Sequence, residues 1–426
     1  MQKVIPSKSH SLRQLINQAK AKVKGQWERI EEMKLANQDR LLAAFRQHQV
    51  SEYHFAGSTG YGYNDSGREV IESVYAQVFG AEDALVRPQL VSGTHAIATC
   101  LSALLDPGDE LVSVTGAPYD TLQQVIGVKG HLSSSLLRQG IRYKEAPLNE
   151  DGKWDKEAIL ATVSDKTKMV IIQRSRGYSW RPALSIQEIG DIVSLVRSIG
   201  KDIIIFVDNC YGEFVEHWEP CHVGADIVAG SLIKNPGGGL VAGGGYIAGS
   251  DRLVEIVADR MTAPGLGRRL GPTYGLNRWI LQGLWMAPHM VGEALSGAVL
   301  VAKVMEDLGY LVSPQWDEPR GDIVQAVRLQ GKTELLSFCH SIQAASPVDS
   351  FVLPVPGDMP GYEDAVVMAG GTFIQGSTME LSADGPLRSP YTVYLQGGLC
   401  KEHVELALYE VVESLVSDDP LVEGGC

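Results

Sequence analysis

The chain reads as an α/β protein built on a mostly parallel, doubly wound sheet. Short apolar runs rich in β-branched residues, among them Met169–Gln173, Ile203–Val207 and Ala225–Ala229, suit strands buried on both faces. Helical stretches separate several of these runs, which is the alternation of βαβ units. At 426 residues the chain is also too long for a single compact core, so about two to three domains are expected.

In chain order, residues 11–48 have helical periodicity through Leu12, Leu15, Ile16, Val23, Trp27, Ile30, Met33, Leu41, Leu42 and Phe45. One or two surface helices are expected there, packing on the second domain or on a partner subunit. HFAGSTGYGYNDSGREVIE, residues 54–72, is a loop rich in glycine and tyrosine that gives way to an amphipathic helix from about Ser66. Leu85–Val91 reads as a strand broken by Pro88, and SGTHAIATCLSALL as a turn opening directly into a helix. Glu110–Val114 is the next strand, ending in TGAPYDTL; Met169–Gln173 follows, running into RSRGYSWRPALS and the helix IQEIGDIVSLVRSIG. Beyond Ile203–Val207 and Ala225–Ala229, Gly244–Ala248 forms another strand and Arg252–Arg260 a helix. The polar loop MTAPGLGRRLGPTYG then leads into a long helix from Leu276 to about Leu308, expected to be interrupted at Pro288. The boundaries that follow are an N-terminal helical segment 1–53, a large domain 54–289 and a small C-terminal α+β domain 290–426.

Composition narrows the function. A formal net charge of −14 argues against a nucleic-acid partner. Hydrophobic residues at 44% and charged residues at 21% are ordinary for a soluble protein. No uninterrupted apolar run reaches the roughly 18 residues of a membrane span, and the N-terminus lacks the apolar core of a secretory signal. Six scattered cysteines with no CxxC pair fit a reducing cytoplasm. Cys210, His217, Cys221 and His222 cluster, but their spacing matches no usual zinc pattern, so no metal is expected.

The chemistry concentrates where strands end. Ile203–Val207 runs into Asp208, and Ala225–Ala229 is followed by Ser231, Lys234 and the cluster Gly237–Gly239. Open α/β sheets bind ligands at the carboxyl ends of their strands. A lysine and an acid there are what pyridoxal phosphate needs: an amine to bond its aldehyde, and a carboxylate to keep its pyridine nitrogen protonated. Loops are wet, however, and lysines and aspartates also end strands for that reason alone. Ser92, Gly93 and Thr94 join a strand to a helix whose first free amides could take a phosphate, although an ordinary N-cap looks the same. Tyr119, after the next strand, can stack on an aromatic ring and exchange a proton with a leaving group; a tyrosine in a turn after Pro118 is the plainer reading. Ser231, three residues before Lys234, can reach the same phosphate. The glycine cluster lacks the GxGxxG register of a dinucleotide site.

With these residues in hand, the chain resembles the fold-type-I pyridoxal-phosphate enzymes. More narrowly, it is similar to the cystathionine β-lyase and methionine γ-lyase relatives called aluminium-resistance proteins. SGTHAI, GAPYDTL, QRSRGYSWRP, VDNCYGEF, GSLIKNPGGG and ELSADGPLRSPYTVYLQGG carry the likeness, across most of residues 54–400. The resemblance implies a seven-stranded, mostly parallel sheet and a carbon–sulfur lyase acting by β- or γ-elimination on cystathionine, methionine or a related amino acid. It also implies a homodimer or homotetramer with shared active sites, in which a neighbour's loop brings Tyr61, Tyr63 and Arg68 to the phosphate. Arg388 would hold the substrate carboxylate, with Arg176 or Tyr178 near the cofactor's ring hydroxyl. Two departures stand out: Ile233 precedes the lysine where the better-known enzymes have threonine, and Arg174–Tyr178 replaces their asparagine-bearing loop. Transamination, or a weakly catalytic pyridoxal-phosphate-binding role in metal-stress tolerance, are the rival readings.

Overall fold

The computed structural model describes residues 8–417 apart from 131 and 360–361, with side chains from residue 12 to 416. Two compact units emerge, one of residues 34–289 with 320–322, the other of residues up to 33, 290–319 and from 323 on. The elements of the first part of the chain are α1 (Lys8–Gln47), α2 (Ser66–Phe79), β1 (Asp83–Arg87), α3 (Gly93–Leu104), β2 (Glu110–Ser113), α4 (Asp120–Ile126), β3 (Arg142–Glu145) and α5 (Lys156–Thr162). Next come β4 (Thr167–Gln173), α6 (Ile186–Ile199), β5 (Ile204–Asp208), β6 (Ile227–Ser231), β7 (Gly245–Gly249), α7 (Asp251–Met261) and α8 (Asn277–Asp307).

The first unit carries a seven-stranded sheet ordered β1-β7-β6-β5-β4-β2-β3. Strands β6, β5, β4, β2 and β3 run parallel, and β7 lies antiparallel between β6 and β1. A buried face shared by Ile97, Leu101, Leu111, Ile171, Phe206, Ile227 and Ile247 fixes the register, since each fully buried aliphatic contributes about 1.5–3 kcal/mol. That register sets Gln173 opposite Asp208 and Asp208 opposite Ala229. The carboxyl ends of three adjacent parallel strands are thereby brought level.

The second unit holds an antiparallel sheet, β8 (Leu311–Ser313), β9 (Gln325–Arg328), β10 (Val366–Ala369), β11 (Ser382–Pro386) and β12 (Thr392–Gln396), in the order β10-β11-β12-β9-β8. Helices α9 (Lys332–Ala344) and α10 (Lys401–Ser417) share its core through Phe338, Val393, Val404 and Val411.

Local differences from the sequence reading have physical causes. The N-terminal stretch is one continuous helix rather than two, a surface helix that buries one stripe through Ile16, Ala19, Val23, Leu41 and Ala44 and leaves the opposite face exposed. Pro288 lies inside α8 without ending it. Leu284, Ala287 and Val291 around it are buried, and that packing outweighs the roughly 3 kcal/mol a mid-helix proline costs. The same helix is long and apolar enough to cross a membrane, yet 78% of its apolar window is buried in the protein. Strand β1 stops before Pro88, which has no N–H for the ladder. Strand β6 starts two residues later than expected and continues through Ser231, which pairs with Gly245. Strand β3 has no counterpart in the sequence reading, because RYKE is a mostly exposed edge without an apolar run.

Candidate active site

Ser92 caps α3, its Oγ accepting from the His95 amide at 3.1 Å, and so aims the first turn of the helix toward the strand ends. A Cβ on Gly93 would stand 3.1 Å from Ser231 Cβ and 3.2 Å from Cys210 Sγ. Glycine lets the turn approach this closely without displacing a neighbour, and the contact gathers Ser92–Thr94, Ser231 and Cys210 in one place. Thr94 Oγ1 lies 3.0 Å from the Tyr119 hydroxyl, so Tyr119 faces the same turn.

A second loop closes on Tyr119 from the other side. The Tyr119 amide donates to Gln173 Oε1 at 2.8 Å, and Gln173 Nε2 donates to the Ser175 carbonyl at 3.0 Å. A Cβ on Gly177, in its left-handed conformation, would come within 3.8 Å of Tyr119 Cβ. This brings the loop that carries Arg176 (buried) and Tyr178 (half-buried) up to Tyr119 at Gly177. The loop itself is tied down at Asp322, whose Oδ2 accepts from Ser175 Oγ at 2.8 Å and from the Arg176 amide at 3.1 Å.

Asp208 is buried at the end of β5, its Oδ1 accepting from the Cys210 amide at 3.2 Å. Burial pushes its carboxyl up from the ordinary range, opposed by Lys234, by hydrogen bonds from Cys210 and by Arg181. Lys234 is set by the turn that follows Ser231, and its Nζ sits 3.8 Å from the centre of the Tyr211 ring. Burial alone would push the lysine down; the surrounding Cys210, Tyr211, Asp208 and Tyr119 reverse this and favour the ammonium. Burial, then Asp208, raises the Tyr119 phenol, which therefore stays protonated and can donate. Arg181, whose guanidinium donates to the Gln173 carbonyl at 2.9 Å, is drawn down to about 10 by burial and remains charged.

The glycines after Lys234 serve packing. A Cβ on Gly237 would collide with the Leu232 carbonyl at 1.7 Å, and one on Gly238, at φ 53°, with the Gly283 carbonyl of α8 at 2.3 Å. Asn235, fully buried, donates to the Glu213 carbonyl at 2.9 Å and so latches the lysine turn to the turn beyond β5.

This fold has close counterparts. The profile of the family described as methionine gamma-lyase matches residues 12–416. The chain belongs to the methionine γ-lyase family. Its cofactor is accordingly pyridoxal 5'-phosphate, and its fold is fold type I. The protein YnbB of Bacillus subtilis (strain 168) is 49% identical over 406 residues, 95% of this chain and 96% of that one. A Clostridium novyi NT crystal structure, described as a carbon–sulfur lyase involved in aluminium resistance, is 45% identical with TM-score 0.90, covering 96% of each chain. A Listeria monocytogenes structure, proposed to be a cystathionine β-lyase involved in aluminium resistance, is 47% identical with TM-score 0.92 and covers 94% of this chain and 99% of its own.

The residues fit that cofactor. The Gly93 cradle and the helix start offer amides to a phosphate, and Ser231 adds a hydroxyl. Among the described residues no opposite charge lies within 4 Å of Asp208 or Lys234, so a protonated ring nitrogen and an aldehyde are chemically suited to these two groups.

Of the family member's remaining candidates, Tyr61 and Tyr63 are 71% and 55% exposed, with rings 5.6 Å apart, and are accessible to a neighbouring subunit. Arg68 is buried, and its Nη1 donates to the carbonyls of Gly62 at 2.7 Å and Gly271 at 2.8 Å, bracing two loops of its own chain, while its buried Nε has no partner among the described residues. Arg388 is exposed in the second unit and donates to Asp364 Oδ2 at 3.1 Å. The sequence reading missed Gln173, Arg181, Cys210 and Tyr211 as site residues. All four lie in QRSRGYSWRP or VDNCYGEF, stretches that end β4 and β5, and their nearness to strand ends was the available signal.

Proposed function

We propose that the protein is a carbon–sulfur lyase that eliminates a thiol from a sulfur amino acid such as cystathionine or methionine. The observation that carries this reading is the convergence of Lys234, Asp208, Tyr119 and the Ser92–Thr94 turn on the ends of adjacent strands, in a member of the methionine γ-lyase family. Bound there, pyridoxal phosphate supplies an electron sink for the α-carbon of an amino acid.

The chain's own groups then have distinct tasks. The Ser92–Thr94 amides and Ser231 would hold the phosphate. Asp208 would keep the ring nitrogen protonated with its buried carboxylate. Lys234 would take the proton from the substrate α-carbon, and Tyr119 would offer its ring to the cofactor and its hydroxyl proton to the departing sulfur. Arg388 receives the substrate carboxylate on the strength of the resemblance alone. Arg176 and Tyr178 remain candidates for the ring-hydroxyl side. Tyr61 and Tyr63 would reach the phosphate of a neighbouring subunit, which makes the working form a dimer or tetramer.

Borohydride reduction of the cofactor-loaded protein followed by peptide mapping tests the core of this reading. The label is expected on Lys234, and a label on another lysine overturns the assignment. Incubation with cystathionine and with methionine should release ammonia, a keto acid and a thiol. Product formation that requires an added keto-acid acceptor would instead establish transamination.

A further inference from the structure

The turn after β5 contains a tyrosine in a conformation that tyrosine does not favour. Tyr211 has φ 71°, in the left-handed region where glycine is at ease and a β-substituted residue is strained. The turn is closed by the Gly212 amide donating to the Asn209 carbonyl at 3.0 Å and is packed from behind by Arg174, within 2.3 Å of where a Cβ on Gly212 would stand. Glycine at 211 would make the same turn without strain. The strain is thus spent on the ring, and the ring lies under Lys234, with Nζ 3.8 Å from its centroid.

We propose that the face of Tyr211 is the seat of the Lys234 amine, making Tyr211 a positioning residue for the group that moves the α-proton. An aromatic face attracts a cation through its quadrupole and most strongly where water is excluded. Whenever the amine is not covalently engaged, the ring holds it in place and favours its protonated form, so a proton taken from substrate stays with the lysine until it is returned. The inference rests on Lys234 being the acid–base group. The other titratable groups facing it are Asp208 at the end of β5, Cys210 and Glu213 from the segment beyond it, and Tyr119 from the start of α4. None of these is changed in the experiment below.

The direct test reads the amine itself in full-length protein without cofactor. Competitive acetylation with isotope-coded acetic anhydride, followed by mass spectrometry, gives the labelling rate of Lys234 across pH, with exposed Lys22 as internal standard. Replacing Tyr211 by phenylalanine keeps the face and should leave the pH profile within twofold of the parent. Tyr211→Leu removes it, and the rate on the rising limb should increase about threefold to thirtyfold, the range expected for a cation–π contact. A series of ring-fluorinated phenylalanines at 211 keeps the shape while draining the face, and should shift the profile stepwise with fluorine number. In cofactor-loaded enzyme the same series should lower kcat with KM held. A Leu profile like the parent's, a Phe profile like that of Leu, or no dependence on fluorination would overturn the proposal. The series also stands apart from the functional reading, because it reports the ammonium of Lys234 whatever substrate the enzyme uses, whereas reductive labelling elsewhere would sink the lyase assignment.

Discussion

Glu213 shows how far a single residue can be shifted by its surroundings. It is fully buried, its Oε1 accepts from the Tyr246 hydroxyl at 2.7 Å, and its carbonyl holds Asn235 next to the cofactor lysine. Burial pushes its carboxyl from 4.5 up to about 8, against the hydrogen bond from Tyr246 and with a contribution from Glu219. The folded protein therefore binds this proton more tightly than the unfolded chain. The resulting stability is fully present below the unfolded pKa of 4.5 and is lost as pH rises toward 8. Thermal or denaturant stability is expected to fall across that window by up to about 1.4 kcal/mol per pH unit, and Glu213→Gln should flatten the slope. At Tyr119 the expectation concerns rate. Tyr119→Phe keeps the stacking ring and removes the donor, so cofactor absorbance should be retained while kcat falls about 10²- to 10⁴-fold. Unchanged turnover would assign the leaving-group proton to another donor.

Among the elements, α3 matters most, because its first turn has to lie against β6. Gly93→Ala places a methyl 3.1 Å from Ser231 Cβ and 3.2 Å from Cys210 Sγ, so the turn must retreat by a few tenths of an ångström. Cofactor affinity is expected to drop at least tenfold, about 1.4 kcal/mol, while the melting temperature without cofactor changes little. A fluorescence titration with pyridoxal phosphate reads the first and a thermal melt the second. Equal affinity would remove this turn from the phosphate site. The elements themselves were legible to different degrees. Strands β4 and β5 were plain because both faces are apolar, and α6 because Ser185 and Glu188 form a capping box. Strand β3 and the unbroken course of α8 were not. An exposed edge carries no hydrophobic signature, and whether a proline ends a helix depends on what packs around it.

At the scale of the whole molecule, exposed Tyr61 and Tyr63 support the expectation that the phosphate site is completed by a second copy. Sedimentation of cofactor-loaded protein should give a dimer or tetramer, and replacing both tyrosines by alanine should weaken cofactor binding without unfolding the subunit. A cofactor-loaded, fully active monomer would contradict the shared site. Arg68 keeps a place in that proposal, because Nη1 alone serves the Gly62 and Gly271 carbonyls while its buried Nε has no partner among the described residues.

What the sequence alone determined here is the set of groups that sit at strand ends: Asp208 at the end of β5, Lys234 after β6, and Ser92, Gly93 and Thr94 at the start of α3. Those placements follow from short-range rules, the length of an apolar run and the chemistry of a helix cap, which operate within a few neighbouring residues. Tertiary structure alone decided that Arg68 turns inward, that Asn235 latches onto Glu213, and that Tyr211 lies beneath the lysine amine. Each of these is a choice of partner between segments distant along the chain or a strained backbone angle at one position. Such choices are set by packing and by the cost of leaving a buried donor or charge unmatched, and residue spacing carries no record of them.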